Sequence, residues 1–165
     1  MDIYTFAAFS GTGKTTYLEK LIPLLKAAGL RVAVLKHDAH DFSMDTPGKD
    51  SWRFTKAGAD AVALASGSRA AVLIQQTLTP EELLSRLPEV DIVLTEGFKQ
   101  GPYPKIALSR KASGRELAVD LRNCIALVTD DEHLSVSAPC PVFPLEDAAP
   151  LANELLRRYE RNKQL

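Results

Sequence analysis

The sequence has no apolar run approaching the roughly 18 residues of a membrane-spanning helix, so no membrane is expected as a partner. It has only two cysteines, Cys124 and Cys140, in no metal-ligand or disulfide spacing, and these thiols are expected to be buried and reduced. Charge of one sign is lacking too. There are 20 Lys and Arg against 21 Asp and Glu, for a formal net charge of -1. That balance gives no bulk attraction for nucleic acid or an anionic lipid surface. The opening residues MDIYTF lack the basic stretch and cleavage pattern of a secretory leader, and the cytoplasm is the expected location. No repeat, low-complexity tract or linker divides the chain. With 45% hydrophobic and 25% charged residues, residues 1–165 are expected to form a single folded domain.

What is present begins with AFSGTGKTT, residues 8–16, which follows an apolar run and opens a helical pattern. Strand, glycine-rich turn, then Lys and Thr on the first turn of a helix is the phosphate-cradling loop of nucleotide-binding proteins. Gly11 and Gly13 let the backbone curl so that successive N–H groups point inward, and the helix start adds unpaired donors and a positive dipole end. Such a nest holds polyphosphate. Ser10, Gly11, Thr12, Gly13, Lys14, Thr15 and Thr16 are therefore the candidate phosphate-binding residues. Lys14 is expected at the β and γ oxygens, and the Thr15 hydroxyl on Mg2+. Ala8 stands where the written pattern asks for Gly, so the turn must start from a conformation that an alanine tolerates.

Residues 14–28 predict a helix with Leu18, Leu21, Ile22 and Leu25 on one face, bent or interrupted by Pro23. RVAVLK, residues 31–36, predicts a strand buried on both faces. The aperiodic stretch HDAHDFSMDTPGKD follows at the edge where open α/β sheets bind ligands. Asp38 is there as a candidate metal ligand. His37 and His40 leave two readings open, anion contact or solvated loop. Lys49 and Arg53 do likewise, between phosphate contact and surface pairing. Asp50 is expected to cap a short helix over residues 51–57. The runs AVALA and AAVLI, separated by SGSR, predict an antiparallel hairpin, and Thr79, Pro80 and Glu82 form a capping box at the start of a brief helix.

VDIVLT, residues 90–95, is the strand expected at the centre of the sheet, and it delivers Glu96 to the sheet's carboxyl edge. A carboxylate there, in a chain with a phosphate loop, is where Mg2+ or its water is oriented, so Lys14, Glu96 and Asp38 are the candidate catalytic residues. Thr15, Glu96 and Asp38 are the candidate metal ligands. CIALVT, residues 124–129, ends at Asp130, a candidate for accepting hydrogen bonds from the N1 and N2 donors of guanine. Arg110, Lys111 and Arg115 cluster as either a mobile basic loop or a solvated turn. No arginine stands out as a finger aimed at a phosphate, which implies slow hydrolysis. The fold class expected is α/β, a P-loop NTPase-type three-layer fold with a mostly parallel sheet, helices on both faces and an antiparallel hairpin addition.

SGTGKTT, LEKLIPLLKAAGLRVAVLKH, DTPGKDSWRFTKAGA and VDIVLTEGFK followed by PKIAL, in that order, resemble the molybdopterin-guanine dinucleotide biosynthesis protein B family. The resemblance implies a GTP-binding accessory protein that assists attachment of GMP to molybdopterin, at most a slow GTPase, with GTP and Mg2+ as cofactors. It implies a homodimer and a molybdenum cofactor guanylyltransferase as partner, with molybdopterin or a recipient molybdoenzyme as further candidate partners. It places Gly11, Gly13, Lys14, Thr15 and Thr16 at the phosphates and makes Asp38, Lys49, Asp50 and Glu96 candidates around them. The alternative reading is an ATP-dependent small-molecule kinase, for which only the short 110–115 stretch offers a basic lid.

Overall fold

Tyr4, Thr5, Phe6 and Ala7 are all buried, although they point alternately to opposite faces of their strand. A strand buried on both sides belongs inside a covered parallel sheet. The computed structural model, which describes residues 1–37 and 42–164, places it there. The chain divides into two compact units, Met1–His37 with Leu87–Leu165, and Asp38–Arg86.

The first unit holds a six-stranded sheet in the order β2-β5-β1-β6-β7-β8, from β1 (Asp2–Ala7), β2 (Val32–Lys36), β5 (Ile92–Glu96), β6 (Lys105–Ser109), β7 (Cys124–Thr129) and β8 (Val142–Pro144). Every pairing in it is parallel. The connections run outward from β1 to β2 on one side and onward to β6, β7 and β8 on the other. The reversal therefore falls beside β1, and the carboxyl ends of the strands at such a reversal are where open α/β sheets bind ligands. β5 was expected at the sheet centre but lies between β1 and the edge strand β2. As an edge strand, β2 is also less covered than expected, and Val34 is 45% exposed.

Helix α1 (Lys14–Ala27) continues unbroken through Pro23 and buries Tyr17, Leu18, Leu21 and Leu25. With α5 (Ala149–Lys163) it covers one face of the sheet, where these side chains meet Phe6, Leu94, Ile106, Leu151 and Leu155. The other face carries smaller side chains, and the hydroxyls of Thr5 and Thr95, paired across β1 and β5, bond at 2.8 Å. Helix α4 (Glu132–Ser137) packs by β7.

The amino edge of the sheet is tied by Asp91. Its carboxylate accepts from the Arg31 amide at 2.8 Å, Arg31 Nε at 3.2 Å and the Tyr159 hydroxyl at 2.7 Å. The Arg31 side chain, then its amide, then Tyr159 hold the Asp91 carboxyl well below the usual carboxylate range. A depressed folded-state value contributes stability that is present above the unfolded pKa of about 3.9 and is lost as pH falls toward the folded one. The urea midpoint should therefore fall as pH drops below about 5, and Asp91→Asn should flatten that decline while lowering the midpoint at neutral pH. Parallel pH profiles for the two proteins would refute the assignment.

The second unit contains α2 (Asp50–Lys56), β3 (Ala61–Ala65), β4 (Ala70–Ile74) and α3 (Pro80–Ser85). The two strands pair antiparallel, as the sequence predicts, but form their own two-stranded sheet. Thr79 and Glu82 make the full capping box. Asp50 does not cap α2. Lys49 takes the cap position in an extended conformation and Asp50 occupies the first turn, where a carboxylate complements the helix dipole and pairs with Arg53 at 3.7 Å. The fold is thus α/β of the three-layer type, with a mostly parallel sheet and an antiparallel hairpin. No helix among the described residues is long and apolar enough to cross a membrane.

Candidate functional site

Between β1 and α1 the backbone turns through two left-handed glycines, Gly11 at φ 77° and Gly13 at φ 98°. Gly13 is also the N-cap of α1. Among the described residues no other residue type has positive φ, so Ala8 starts the turn from an ordinary conformation with its methyl buried in the core. The Thr12 hydroxyl donates to the Phe9 carbonyl at 2.8 Å and closes the turn from within. Ser10, Gly11, Thr15 and Thr16 are exposed.

Lys14 folds back over this loop. Its side chain is only 9% exposed, and Nζ donates to the carbonyls of Ala8 at 3.2 Å and Phe9 at 3.1 Å. The ammonium lies 3.8 Å from Glu96 Oε1, while the Thr15 hydroxyl donates weakly to Glu96 Oε2 at 3.5 Å. Burial lowers the Lys14 pKa; Glu96 opposes that shift, and Lys99 and Lys36 add to it. A partly desolvated ammonium beside two other cations gains strongly from an added anion.

Glu96 arrives from the last position of β5, in register with Lys36 at the end of β2 and Phe6 of β1. The backbone then passes so close to β2 that only glycine fits. Gly97 has φ 108°, and a Cβ there would stand 2.5 Å from the His37 carbonyl oxygen. The His37 amide donates to the Glu96 carbonyl at 2.8 Å, and its ring lies 5.0 Å from that of Phe98. Lys99 returns toward the loop, with Nζ 4.6 Å from the Phe9 ring centroid.

On the β6 side, Arg110 Nε approaches the Thr12 carbonyl at 3.4 Å, and Arg115 Nη1 donates to the Ser10 carbonyl at 2.9 Å. The stretch that the sequence left open between loop and turn is therefore fastened to the phosphate loop. Asp130, at the end of β7, accepts the Lys111 amide through Oδ1 at 2.6 Å. Its carboxylate helps hold that basic turn.

The structure thus brings Lys14, Thr15 and Glu96 together. Asp38 and His40 lie outside the described residues. Lys49 and Asp50 belong to the second unit. Sequence reasoning missed Lys36 and Lys99 as neighbours of the loop, and singled out Arg110 and Arg115 only as a basic cluster, open between a mobile loop and a solvated turn. Lys36 and Arg110 end or directly follow parallel strands, and the rule that ligands gather at the carboxyl ends of such strands was the signal that could have found them. No group of three or more His, Cys, Asp or Glu side chains among the described residues gathers as a metal cage. A hydroxyl and a carboxylate beside a phosphate nest suit Mg2+, which keeps waters and phosphate oxygens as its other ligands.

A parallel sheet whose first strand runs through a glycine-turned loop into a helix, with Lys14 over the loop and Glu96 across from it, defines a protein of the P-loop type. Residues 3–130 match the family model described as molybdopterin guanine dinucleotide synthesis protein B, or MobB. The chain belongs to that family, whose role is an accessory one in guanine dinucleotide molybdenum cofactor biosynthesis. It is 44% identical over 142 residues to the molybdopterin-guanine dinucleotide biosynthesis adapter protein of Escherichia coli K12, covering 79% of each chain. A probable adapter protein of the same description from Bacillus subtilis is 32% identical over 154 residues, covering 88% of this chain and 86% of that one. The crystal structure of Bacillus subtilis MobB superimposes with a TM-score of 0.76 at 31% identity, covering 96% of this chain and 98% of the other.

Proposed function

We propose that the chain is a GTP-binding accessory protein that assists attachment of GMP to molybdopterin, forming the guanine dinucleotide cofactor. The observation that carries this reading is the convergence of Lys14, Thr15 and Glu96 at the loop. Lys14 and the inward amides take up charge on the β and γ phosphate oxygens. Thr15 and Glu96 would hold Mg2+, which would supply further neutralisation of phosphate charge. Asp130 keeps one carboxylate oxygen beyond its bond to Lys111 and selects guanine through it. Hydrolysis is slow, and the protein acts chiefly through a molybdenum cofactor guanylyltransferase, with molybdopterin or a recipient molybdoenzyme as a further partner. It works in the cytoplasm as a homodimer joined along the hairpin, where Leu64 and Val72 are 46% and 62% exposed.

Equilibrium titration of the purified chain with GTP, GDP, ATP and a non-hydrolysable GTP analogue, with and without Mg2+, tests this function. Preference for guanine nucleotides, strengthened by Mg2+ and followed by little turnover, is the expected result. Preference for ATP, with a small co-substrate accelerating its consumption, would replace this reading with the kinase one.

A further inference from the structure

The first turn of a helix is an unfavourable place for a guanidinium, because its amides are unpaired and its dipole end is positive. Arg110 is held in that place. Its Nη2 and Nε lie 3.1 and 3.5 Å from where a Cβ on Gly13, the N-cap of α1, would stand. The one hydrogen bond its guanidinium makes among the described residues is the long contact from Nε to the Thr12 carbonyl at 3.4 Å. Neither Arg110 nor Arg115 forms an ion pair with a carboxylate among the described residues. Glu96, the acid nearest Lys14, is engaged by Lys14 and Thr15. Two guanidinium charges, a helix dipole and a buried ammonium are thus gathered with too little negative charge to balance them.

The position of Arg110 is also fixed in advance. Its carbonyl accepts from the Ser113 hydroxyl at 2.7 Å and from the Ser113 amide at 3.0 Å, and Asp130 holds the next amide, that of Lys111. A guanidinium set this way presents its remaining donors as a planar fork, the geometry that matches phosphate oxygens. Arg115 differs, since its guanidinium donates to the Ser10 carbonyl at 2.9 Å.

We propose that Arg110 is a direct phosphate ligand of the bound nucleotide, reaching it past Gly13 from the β6 side. The inference rests on the GTP-binding reading and adds to it a cation supplied by the chain itself. It makes Gly13 the gap through which that cation acts.

The test is calorimetric titration of the full chain and its Arg110→Ala, Arg110→Lys and Lys14→Ala variants with Mg-GTP and with inorganic triphosphate, at two salt concentrations. Arg110→Ala should weaken both ligands by about ten-fold or more and flatten the salt dependence. Arg110→Lys should recover part of the loss, because it restores the charge without the fork. The ligand-free melting temperature of Arg110→Ala should stay level or rise as repulsion is relieved. A fall in it, with ligand losses that Arg110→Lys does not relieve, would make Arg110 a structural brace and overturn the proposal. Unchanged affinity in Arg110→Ala alongside lost binding in Lys14→Ala would overturn this inference alone. Failure of the unmutated chain to bind GTP would overturn the GTP reading and this inference together.

Discussion

Replacing Lys14 with Ala is expected to raise the Kd for Mg-GTP by more than about a hundred-fold, roughly 3 kcal/mol, which is the worth of one or two hydrogen bonds to charged groups. The expectation follows from where the ammonium sits. It is nearly buried, its donors are shared between the Ala8 and Phe9 carbonyls, and Glu96 approaches only to 3.8 Å. Lys36 and Lys99 bear on the same charge with the same sign, so the ammonium is held at an electrostatic disadvantage that a polyphosphate relieves. The same argument predicts that stability without ligand is little changed, since the variant removes a desolvated charge along with its two carbonyl bonds. Titration and urea unfolding on one preparation check both halves. A Kd within about three-fold of the unmutated value would remove the phosphate role from Lys14, because so small a change is below the worth of one charge-assisted bond.

Gly97→Ala is expected to lower stability by about 2–4 kcal/mol, an effect large for a single methyl. Two costs coincide there. At φ 108° the backbone adopts a conformation that an L side chain rarely takes. The added Cβ would also stand 2.5 Å from the His37 carbonyl oxygen and 3.0 Å from the His37 Cβ, and backbone cannot give way as a flexible side chain can. Relief requires parting the ends of β2 and β5, which would break the bond from the His37 amide to the Glu96 carbonyl and move Glu96 away from Lys14 and Thr15. Loss of Mg2+ dependence should therefore accompany the loss of stability. A urea midpoint equal to that of the unmutated chain would show that the two strand ends do not approach as described.

The legible parts of this protein share one property, which is that their physical cause is local. The loop was readable because strand, two glycines, Lys14, Thr15 and helix are contiguous. Glu96 was readable because a buried run ends on it. The Thr79 capping box was readable because donor and acceptor stand three residues apart. Asp50 was misplaced by one position because Lys49, with no capping side chain, took the extended conformation that a cap needs, a choice no local preference enforces. Arg110 shows the opposite limit. Its contact with Thr12 spans 98 residues of sequence, and nothing in KIALSRKASGR says which loop it will meet.

The sequence by itself determined the alternation of strands and helices, the phosphate loop, the acid that faces it and the hairpin, because periodicity and turn chemistry act within a few residues of where they are written. Tertiary structure alone decided that β5 inserts between β1 and β2, that β2 becomes an edge, and that Lys36, Lys99, Arg110 and Arg115 gather around the loop. Strand order depends on which apolar faces bury best against one another across the whole chain, and no segment carries that preference alone. The charge of the site follows from that order. Parallel strands bring their carboxyl ends to one edge, and the side chains that end them become neighbours only once the sheet has closed.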